Sequence, residues 1–188
     1  MSTSLSQHAF VEVATWMGAA PLLAVVWRRM PARYQWVAAG LAVSCVADNL
    51  DRIVDTWMLG GVYPLSQSVF VAIPLTSRRE AALFVVALLA VGLWSIALTG
   101  GHGPDFALRI VGWGSIVVLA VTRLPRSALR TAVVLYFAGS LLAWLPFAWY
   151  KTWPTLLAYQ GARAVGIGWF LWAAWQARER QVACPTVR

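Results

Sequence analysis

The sequence has few of the residues that most often build metal-bound or covalent chemistry. Its 188 residues include two histidines, two cysteines and a single lysine, Lys151. His8 and His102 are both predicted at the outer edge of the protein, which excludes a haem held by two histidines and a histidine-rich zinc hydrolase site. Lys151 falls in a predicted loop, which excludes a retinal Schiff base. Cys45 and Cys184 are predicted at different depths, so neither a disulfide nor a cysteine-ligated metal is expected.

Charged residues are also scarce, and long apolar runs take their place. Hydrophobic residues make up 60% of the chain, charged residues 12%, and the mean hydropathy is +0.67. Several apolar runs approach the roughly 20 residues that a helix needs to cross a bilayer, so a soluble domain is not expected. We predict an all-α integral membrane protein, with residues 1–177 as one membrane domain and 178–188 as a short basic cytoplasmic tail. The seven predicted transmembrane helices cover about 8–27, 35–58, 62–77, 81–99, 106–123, 131–149 and 155–177.

The arginines predict how this bundle is oriented. If all seven helices cross, eleven of the fifteen basic residues fall on one side. The positive-inside rule then places the N-terminus outside and the C-terminus in the cytoplasm. This distribution explains the net charge of +8, so no nucleic-acid partner is predicted. The predicted location is the cell membrane, as a multi-pass protein, which in a Gram-negative bacterium is the inner membrane. The eleven residues are Arg28, Arg29, Arg33, Arg78, Arg79, Arg123, Arg126, Arg130, Arg178, Arg180 and Arg188.

The second predicted span carries an unusual group of charges. Asp48, Asp51, Arg52 and Asp55 recur at helical spacing and therefore lie on one face of the helix. Ionised groups in hydrocarbon are costly, and they are functional candidates by default. Glu12, in the first span, is predicted on the same outer side. We predict an outward-facing polar cavity in which Asp48, Asp51 and Glu12 act as catalytic acids or bases, with ion pairing as the alternative role.

Polar and aromatic side chains of other spans are predicted to line this cavity. Arg163 is the best candidate to pair with the carboxylates or to hold an anionic head group. Trp113 and Trp144 lie deeper than an aromatic belt, where ring faces can stabilise a cation. Arg109, at the start of the fifth span, is expected only to cap its helix. The predicted substrate-binding residues are Arg52, Asp55, Tyr63, Gln67, Trp113, Trp144, Tyr159, Gln160 and Arg163.

One short resemblance concerns the aspartate group itself. Asp48-x-x-Asp51-Arg52-x-x-Asp55 resembles the first aspartate-rich motif of intramembrane prenyltransferases of the UbiA type. The resemblance implies Mg²⁺ held by the aspartates and a prenyl diphosphate as substrate. Ala47 replaces the asparagine usual in that family, no second aspartate-rich motif follows, and the chain is too short for nine spans.

A second short resemblance is to lipoprotein signal peptidases. It is carried by Asn49-Leu50-Asp51-Arg52 and the later segment Tyr63-Pro64-Leu65-Ser66-Gln67. Gly60 and Phe70 stand near the positions of that family's two catalytic aspartates, so the resemblance does not extend to the catalytic pair. Neither resemblance assigns the chain to a family.

Three classes of function fit these observations. The favoured one is a small membrane enzyme acting on an isoprenoid or other lipid by acid catalysis, similar to membrane-bound terpene cyclases. It needs no cofactor, unless a diphosphate substrate brings Mg²⁺ to the aspartates. The alternatives are a transporter or proton-coupled carrier and a non-catalytic accessory or immunity-type subunit. The predicted partners are the lipid bilayer and a hydrophobic small-molecule or lipid substrate, and the sequence does not determine an oligomeric state.

Overall fold

The computed structural model describes residues 5–27, 30–53, 57–99 and 104–183. Within these ranges it describes the backbone alone at 5–12, 14–16, 47–53, 57–63, 104–105 and 180–183. Every regular element in this part of the chain is a helix. In order they are α1 (Leu5–Trp27), α2 (Ala32–Ile53), α3 (Trp57–Ala72), a 3₁₀ turn (Ile73–Leu75), α4 (Arg78–Thr99), α5 (Pro104–Leu108), a π turn (Arg109–Trp113), α6 (Gly114–Arg123), α7 (Ala128–Tyr150) and α8 (Trp153–Ala183).

The all-α prediction is confirmed, and the seven predicted segments correspond to seven helices in the described residues, because α5, the π turn and α6 run on without a break. The bounds differ by more than three residues at two places. α2 ends at Ile53 and α3 already begins at Trp57, whereas the apolar pattern predicted 58 and 62. α8 continues to Ala183, past the predicted end of the seventh span at 177. A helix does not have to end with its apolar run, and Trp175 Nε1 donates to Glu179 Oε1 one turn later, at 2.6 Å.

Among the residues that the structure describes, three helices are long and apolar enough to cross a membrane: Arg78–Thr99, Phe106–Arg123 and Ala128–Tyr150. α4 is the most exposed of them, with Leu83, Leu93 and Trp94 at 69%, 68% and 66% exposure. A contiguous apolar surface of this kind is typical of a face that contacts lipid or another protein. The chain is therefore a helical protein with candidate membrane-spanning helices.

α7 and α8 form the tightest pair in the bundle. Lys151 ends α7 in the left-handed conformation, with φ at 47°, and its N–H donates to Phe147 O at 2.9 Å. α8 begins two residues later, so the two helices run antiparallel. At Gly166 of α8, an added Cβ would lie 2.5 Å from the Cα of Tyr136 in α7. Only glycine permits this approach, and it brings the middle of α8 against the middle of α7.

The end of the bundle near residues 77–80 and 123 is held by a capping box and an ion pair. Ser77 N–H donates to Glu80 Oε2 at 2.8 Å, and Glu80 N–H donates back to Ser77 Oγ at 3.4 Å. Glu80 also accepts from Arg123 Nη2 at 2.6 Å. These contacts define the start of α4 and join it to the end of α6.

Candidate functional site

Five polar or amphipathic side chains meet inside the bundle, each from a different segment. They are Ser44 of α2, Gln67 of α3, Trp113 of the π turn, Tyr136 of α7 and Arg163 of α8, and all are buried. Each lies on the helix face that carries the apolar core. We call these five side chains the core network, since buried polar groups are stable only when they bond one another or another partner.

The Tyr136 hydroxyl is the centre of the core network. Its oxygen lies 2.5 Å from Ser44 Oγ, 3.3 Å from Arg163 Nε and 3.4 Å from Gln67 Nε2. The arginine and amide nitrogens can only donate, so together they occupy both lone pairs of the tyrosine oxygen. The Tyr136 O–H must therefore donate to Ser44. Ser44 Oγ also accepts from Arg163 Nη2 at 2.9 Å, which directs its own hydrogen toward a further acceptor.

The orientation of the Gln67 amide follows from the same donor count. Trp113 Nε1 donates to Gln67 Oε1 at 2.9 Å, so the Gln67 amide nitrogen is the atom that faces Tyr136. The hydrogen bonds then run in one direction, from Trp113 through Gln67 and Tyr136 to Ser44. The core network thus directs its donors toward α2.

A second buried arginine, Arg109, lies beside the core network and contacts its member Trp113. Arg109 begins the π turn, is 6% exposed and donates from Nη1 to Tyr159 OH at 3.3 Å. Its guanidinium carbon lies 5.1 Å from the Trp113 ring centroid and 5.2 Å from that of Trp144. Cation–π attraction at this distance helps to hold a charge away from water. The cation that these two tryptophan faces stabilise in the structure is therefore Arg109.

Tyr159 connects Arg109 to Arg163 of the core network. Arg163 lies over its ring, with 5.4 Å from the guanidinium carbon to the centroid, while its hydroxyl accepts from Arg109. Phe147 stacks on Tyr159 with centroids 5.9 Å apart and planes 5° from parallel. The contacts close into a ring through Arg109, Tyr159, Arg163, Tyr136, Gln67 and Trp113. Such a closed set holds two arginines in fixed positions at low exposure.

The aspartate positions of α2 continue the face on which Ser44 lies. Asp48 follows Ser44 by four residues and Asp51 follows it by seven, both within the helix Ala32–Ile53. At 3.6 residues per turn these positions fall within roughly 40° of Ser44 around the helix axis. The backbone thus places them one and two turns beyond the Ser44 end of the core network.

A cleft of about 330 Å³ adjoins Arg163 from the side of the bundle. It lies between α1, α2 and α8, and its walls are mainly apolar. Arg163 and Gln160, which are 3.4 Å apart at Nη1 and Oε1, supply its polar side chains. Gly168 and Ala164 of α8 are exposed at its rim, and an added Cβ on Gly168 would meet nothing within 4 Å. The cleft is lined by Met17, Gly18, Cys45, Gln160, Arg163, Ala164, Ile167, Gly168 and Leu171.

The structure brings together the predicted site residues whose side chains it describes. Gln67, Trp113 and Arg163 are in the core network, Tyr159 and Trp144 contact Arg109, and Gln160 contacts Arg163 in the cleft. The other predicted residues lie outside the part whose side chains are described, so their placement stays a prediction. They are Glu12, Asp48, Asp51, Arg52, Asp55 and Tyr63.

Predictions from the sequence missed two residues of the site and assigned a third to a different role. Arg109 was expected to cap the fifth span, but the helix already begins at Pro104, so Arg109 lies inside it and is buried. Ser44 and Tyr136 carry no charge and were not singled out. A signal for Tyr136 was nevertheless present, because Tyr136, Ser140 and Trp144 follow at intervals of four and share one face of α7.

In the part of the chain that the structure describes, no three histidine, cysteine, aspartate or glutamate side chains come together as metal ligands would. No known family model matches the chain, and neither the curated proteins nor the solved structures include one similar to it.

Proposed function

We propose that the chain is a multi-pass membrane enzyme that acts on an isoprenoid or other lipid. One observation carries the proposal: the cleft of about 330 Å³ has apolar walls and ends at Arg163. A lipid entering from the bilayer would lie along Met17, Ile167 and Leu171 and would bring its polar end to Arg163 and Gln160. Lipid sites need this combination of apolar length and a few convergent polar groups.

The proposed membrane arrangement has seven spans, with the N-terminus outside. It is supported by the seven helices and by the exposed arginines Arg33, Arg79 and Arg126, which all lie near helix ends on the side predicted to be cytoplasmic. The lateral cleft would then face the hydrocarbon, and Arg163 would be reached from within the bilayer.

The proposed chemistry is acid catalysis by the α2 carboxylates. Asp48 or Asp51, in its protonated form, would add its proton to a carbon–carbon double bond of the lipid. The π electrons of a second double bond in the lipid would attack the resulting carbocation, which forms a carbon–carbon single bond and a new cation. The carboxylate would then take a proton from the carbon next to that cation, which forms a double bond and restores the carboxylic acid. The reaction is an isomerisation and needs no further reactant. Glu12 of α1 is the alternative acid, and the core network would position the α2 groups by donating toward them.

If the substrate is a diphosphate, the aspartates of the α2 group would bind a metal ion instead of donating a proton. Asp48, Asp51 and Asp55 would hold Mg²⁺, while Arg52 and Arg163 would contact the phosphate oxygens. Sensitivity of turnover to a chelator separates this variant of the proposal from metal-free acid catalysis.

The cleft is tested by photolabelling with a diazirine-bearing isoprenoid alcohol in membranes that contain the full chain. Gly168→Phe adds a ring at a residue that lines the cleft and whose added Cβ would meet nothing within 4 Å. Gly161→Phe is its matched control, since an added Cβ at Gly161 also meets nothing within 4 Å and Gly161 does not line the cleft. We expect label on peptides of α1 and α8, reduced at least roughly fivefold by Gly168→Phe and less than about twofold by Gly161→Phe. Equal labelling of the two variants would overturn the entry route.

The catalytic step is tested by incubating the same membranes with a total lipid extract and identifying products by mass spectrometry. We expect Asp48→Asn or Asp51→Asn to abolish product formation while photolabelling and thermal stability are retained. Product formation that is unchanged in both variants, and in Glu12→Gln, would contradict acid catalysis by these carboxylates, and absence of any product from the parent chain would contradict the enzyme proposal.

The non-catalytic subunit is the second candidate, and the closed ring of contacts favours it. A ring that joins α3, the π turn, α7 and α8 explains two buried arginines as structure alone. In a non-catalytic subunit the carboxylates of α2 would serve as structural ion pairs. Asp48→Asn and Asp51→Asn would then lower the stability of the protein instead of its turnover. The two candidates therefore give opposite results in the same pair of measurements.

A further inference from the structure

A second cavity lies at the opposite end of the bundle from Arg109. Its volume is about 630 Å³, and it is formed by the start of α2, the loop between α6 and α7 with the first turn of α7, and residues 169–177 of α8. Its lining includes Arg33, Arg126, Ser127, Trp169, Trp172 and Gln176. We call it the basic groove. No acidic side chain lines it among the residues whose side chains the structure describes.

The arginines of the basic groove differ from their neighbour Arg123. Arg123 is neutralised by Glu80 at 2.6 Å. Arg33 and Arg126 are exposed, and in the described part of the chain neither makes an ion pair or a hydrogen bond. Two positive charges thus face one cavity without a carboxylate to compensate them, which favours an anion there.

The start of α7 adds to this preference. Ser127 caps the helix by accepting from Arg130 N–H at 3.4 Å, and the first turn of α7 contains no acidic residue. The N-terminal end of this 23-residue helix therefore presents its positive dipole to the groove, beside Arg126.

Two tryptophans give the groove an amphipathic wall. Trp169 and Trp172 of α8 are partly exposed and contact each other edge to face, with centroids 5.2 Å apart. Tryptophans in this setting lie at the boundary between head groups and hydrocarbon. A soluble phosphate would use the arginines but not this wall, whereas a lipid would use both.

We infer that the basic groove binds the phosphate head group of an anionic membrane phospholipid. Arg33 and Arg126 contact the phosphate oxygens, the start of α7 faces the same charge, and the acyl chains leave along Trp169 and Trp172. Basic cavities between helices at the cytoplasmic surface are suited to such head groups. The inference rests on the membrane placement given under the proposed function, but not on the proposed reaction.

The test is a titration of the purified full chain in zwitterionic detergent with short-chain phosphatidylglycerol, following the unfolding midpoint. Arg33→Gln and Arg126→Gln should each weaken binding roughly fivefold, and the double variant roughly 25-fold. Arg79→Gln is the matched control, because it removes the same charge from an exposed residue that does not line the groove. It should stay within about twofold of the parent chain.

Two further measurements distinguish a phospholipid from a soluble phosphate compound as the ligand and test the role of the tryptophans. Glycerol 3-phosphate should bind at least roughly a hundredfold more weakly than the lipid, since it has no acyl chains to bury. Trp172→Ala should weaken lipid binding and leave glycerol 3-phosphate binding unchanged. Equal affinities for lipid and glycerol 3-phosphate, or equal losses in Arg79→Gln and Arg126→Gln, would overturn the inference.

Carbonate extraction of the same variants separates this inference from the proposal on which it rests. A chain that resists extraction but shows no effect of the two groove arginines contradicts only the lipid site. A chain that carbonate releases from membranes contradicts the membrane placement and the lipid site together.

Discussion

α4 and α8 are both long enough to cross a bilayer, yet their side chains have opposite roles. α4 buries Leu88, Gly92 and Ser95 and turns most of its other residues outward. α8 buries Arg163 and Tyr159 and presses Gly166 against the backbone of α7. α4 meets the criterion of length and apolarity for a span, whereas α8 does not meet it within the described residues.

The difference shows what apolarity measures in a helix bundle. High apolarity identifies a helix whose surface is suited to contact with lipid, and most of the surface of α4 is of this kind. A helix that carries a polar site is underestimated, because its polar side chains count against it even when neighbouring helices bury them. An interrupted apolar run is therefore the sequence feature that indicates a helix with buried polar side chains.

The largest effect should come from the contact that joins α8 to α7. Gly166→Leu places a side chain where a Cβ alone would be 2.5 Å from Tyr136 Cα, so the helices must separate. We expect a loss of about 3 kcal/mol or more in the free energy of unfolding. Unfolding in mixed micelles, followed by tryptophan fluorescence, measures this loss. Gly161→Leu is the control, since its Cβ meets nothing within 4 Å, and equal stability of the two variants would contradict the described packing.

A smaller effect should come from the hydroxyl at the centre of the core network. Tyr136→Phe removes an atom within 3.4 Å of three partners, whereas Tyr159→Phe removes one acceptor from Arg109. We expect losses of about 2 kcal/mol and about 1 kcal/mol in the free energy of unfolding. Tyr150→Phe, at a residue 72% exposed, should change it by less than about 0.5 kcal/mol. A loss for Tyr159→Phe that exceeds the loss for Tyr136→Phe would argue against Tyr136 as the centre.

The smallest effect should be on α4. Leu93 is 68% exposed, so Leu93→Ala should lower the free energy of unfolding by less than about 0.5 kcal/mol if lipid covers it. Leu88→Ala, at a residue 1% exposed, should cost about 2 kcal/mol or more and shows that the assay responds to α4. A comparable loss for Leu93→Ala would mean that another protein, instead of lipid, covers this face.

The helices and part of the site were predictable because both depend on local periodicity. The apolar runs indicated seven helices, and polar residues within those runs, such as Gln67, Tyr159 and Arg163, stood out against their surroundings. In the structure their side chains belong to one connected set. The role of Asp48 and Asp51 remains a prediction.

What the sequence could not provide is which side chains meet. Ser44 and Tyr136 are 92 residues apart, and nothing local marks a serine and a tyrosine in apolar helices as partners. Arg109 was misassigned because its role depends on where the helix begins and on the π turn that follows. The lateral cleft depends on how α1, α2 and α8 pack, which no single helix determines.

The fixed direction of the hydrogen bonds around Tyr136 bears on proton movement. A proton can pass along a chain of side chains only when each member can both donate and accept and can then reset. Trp113 and Arg163 have donors alone, and the Gln67 amide would have to turn over inside a packed core. The hydrogen bonds of the core network therefore do not form a continuous relay for a proton. A proton-coupled carrier would need a route that bypasses Tyr136.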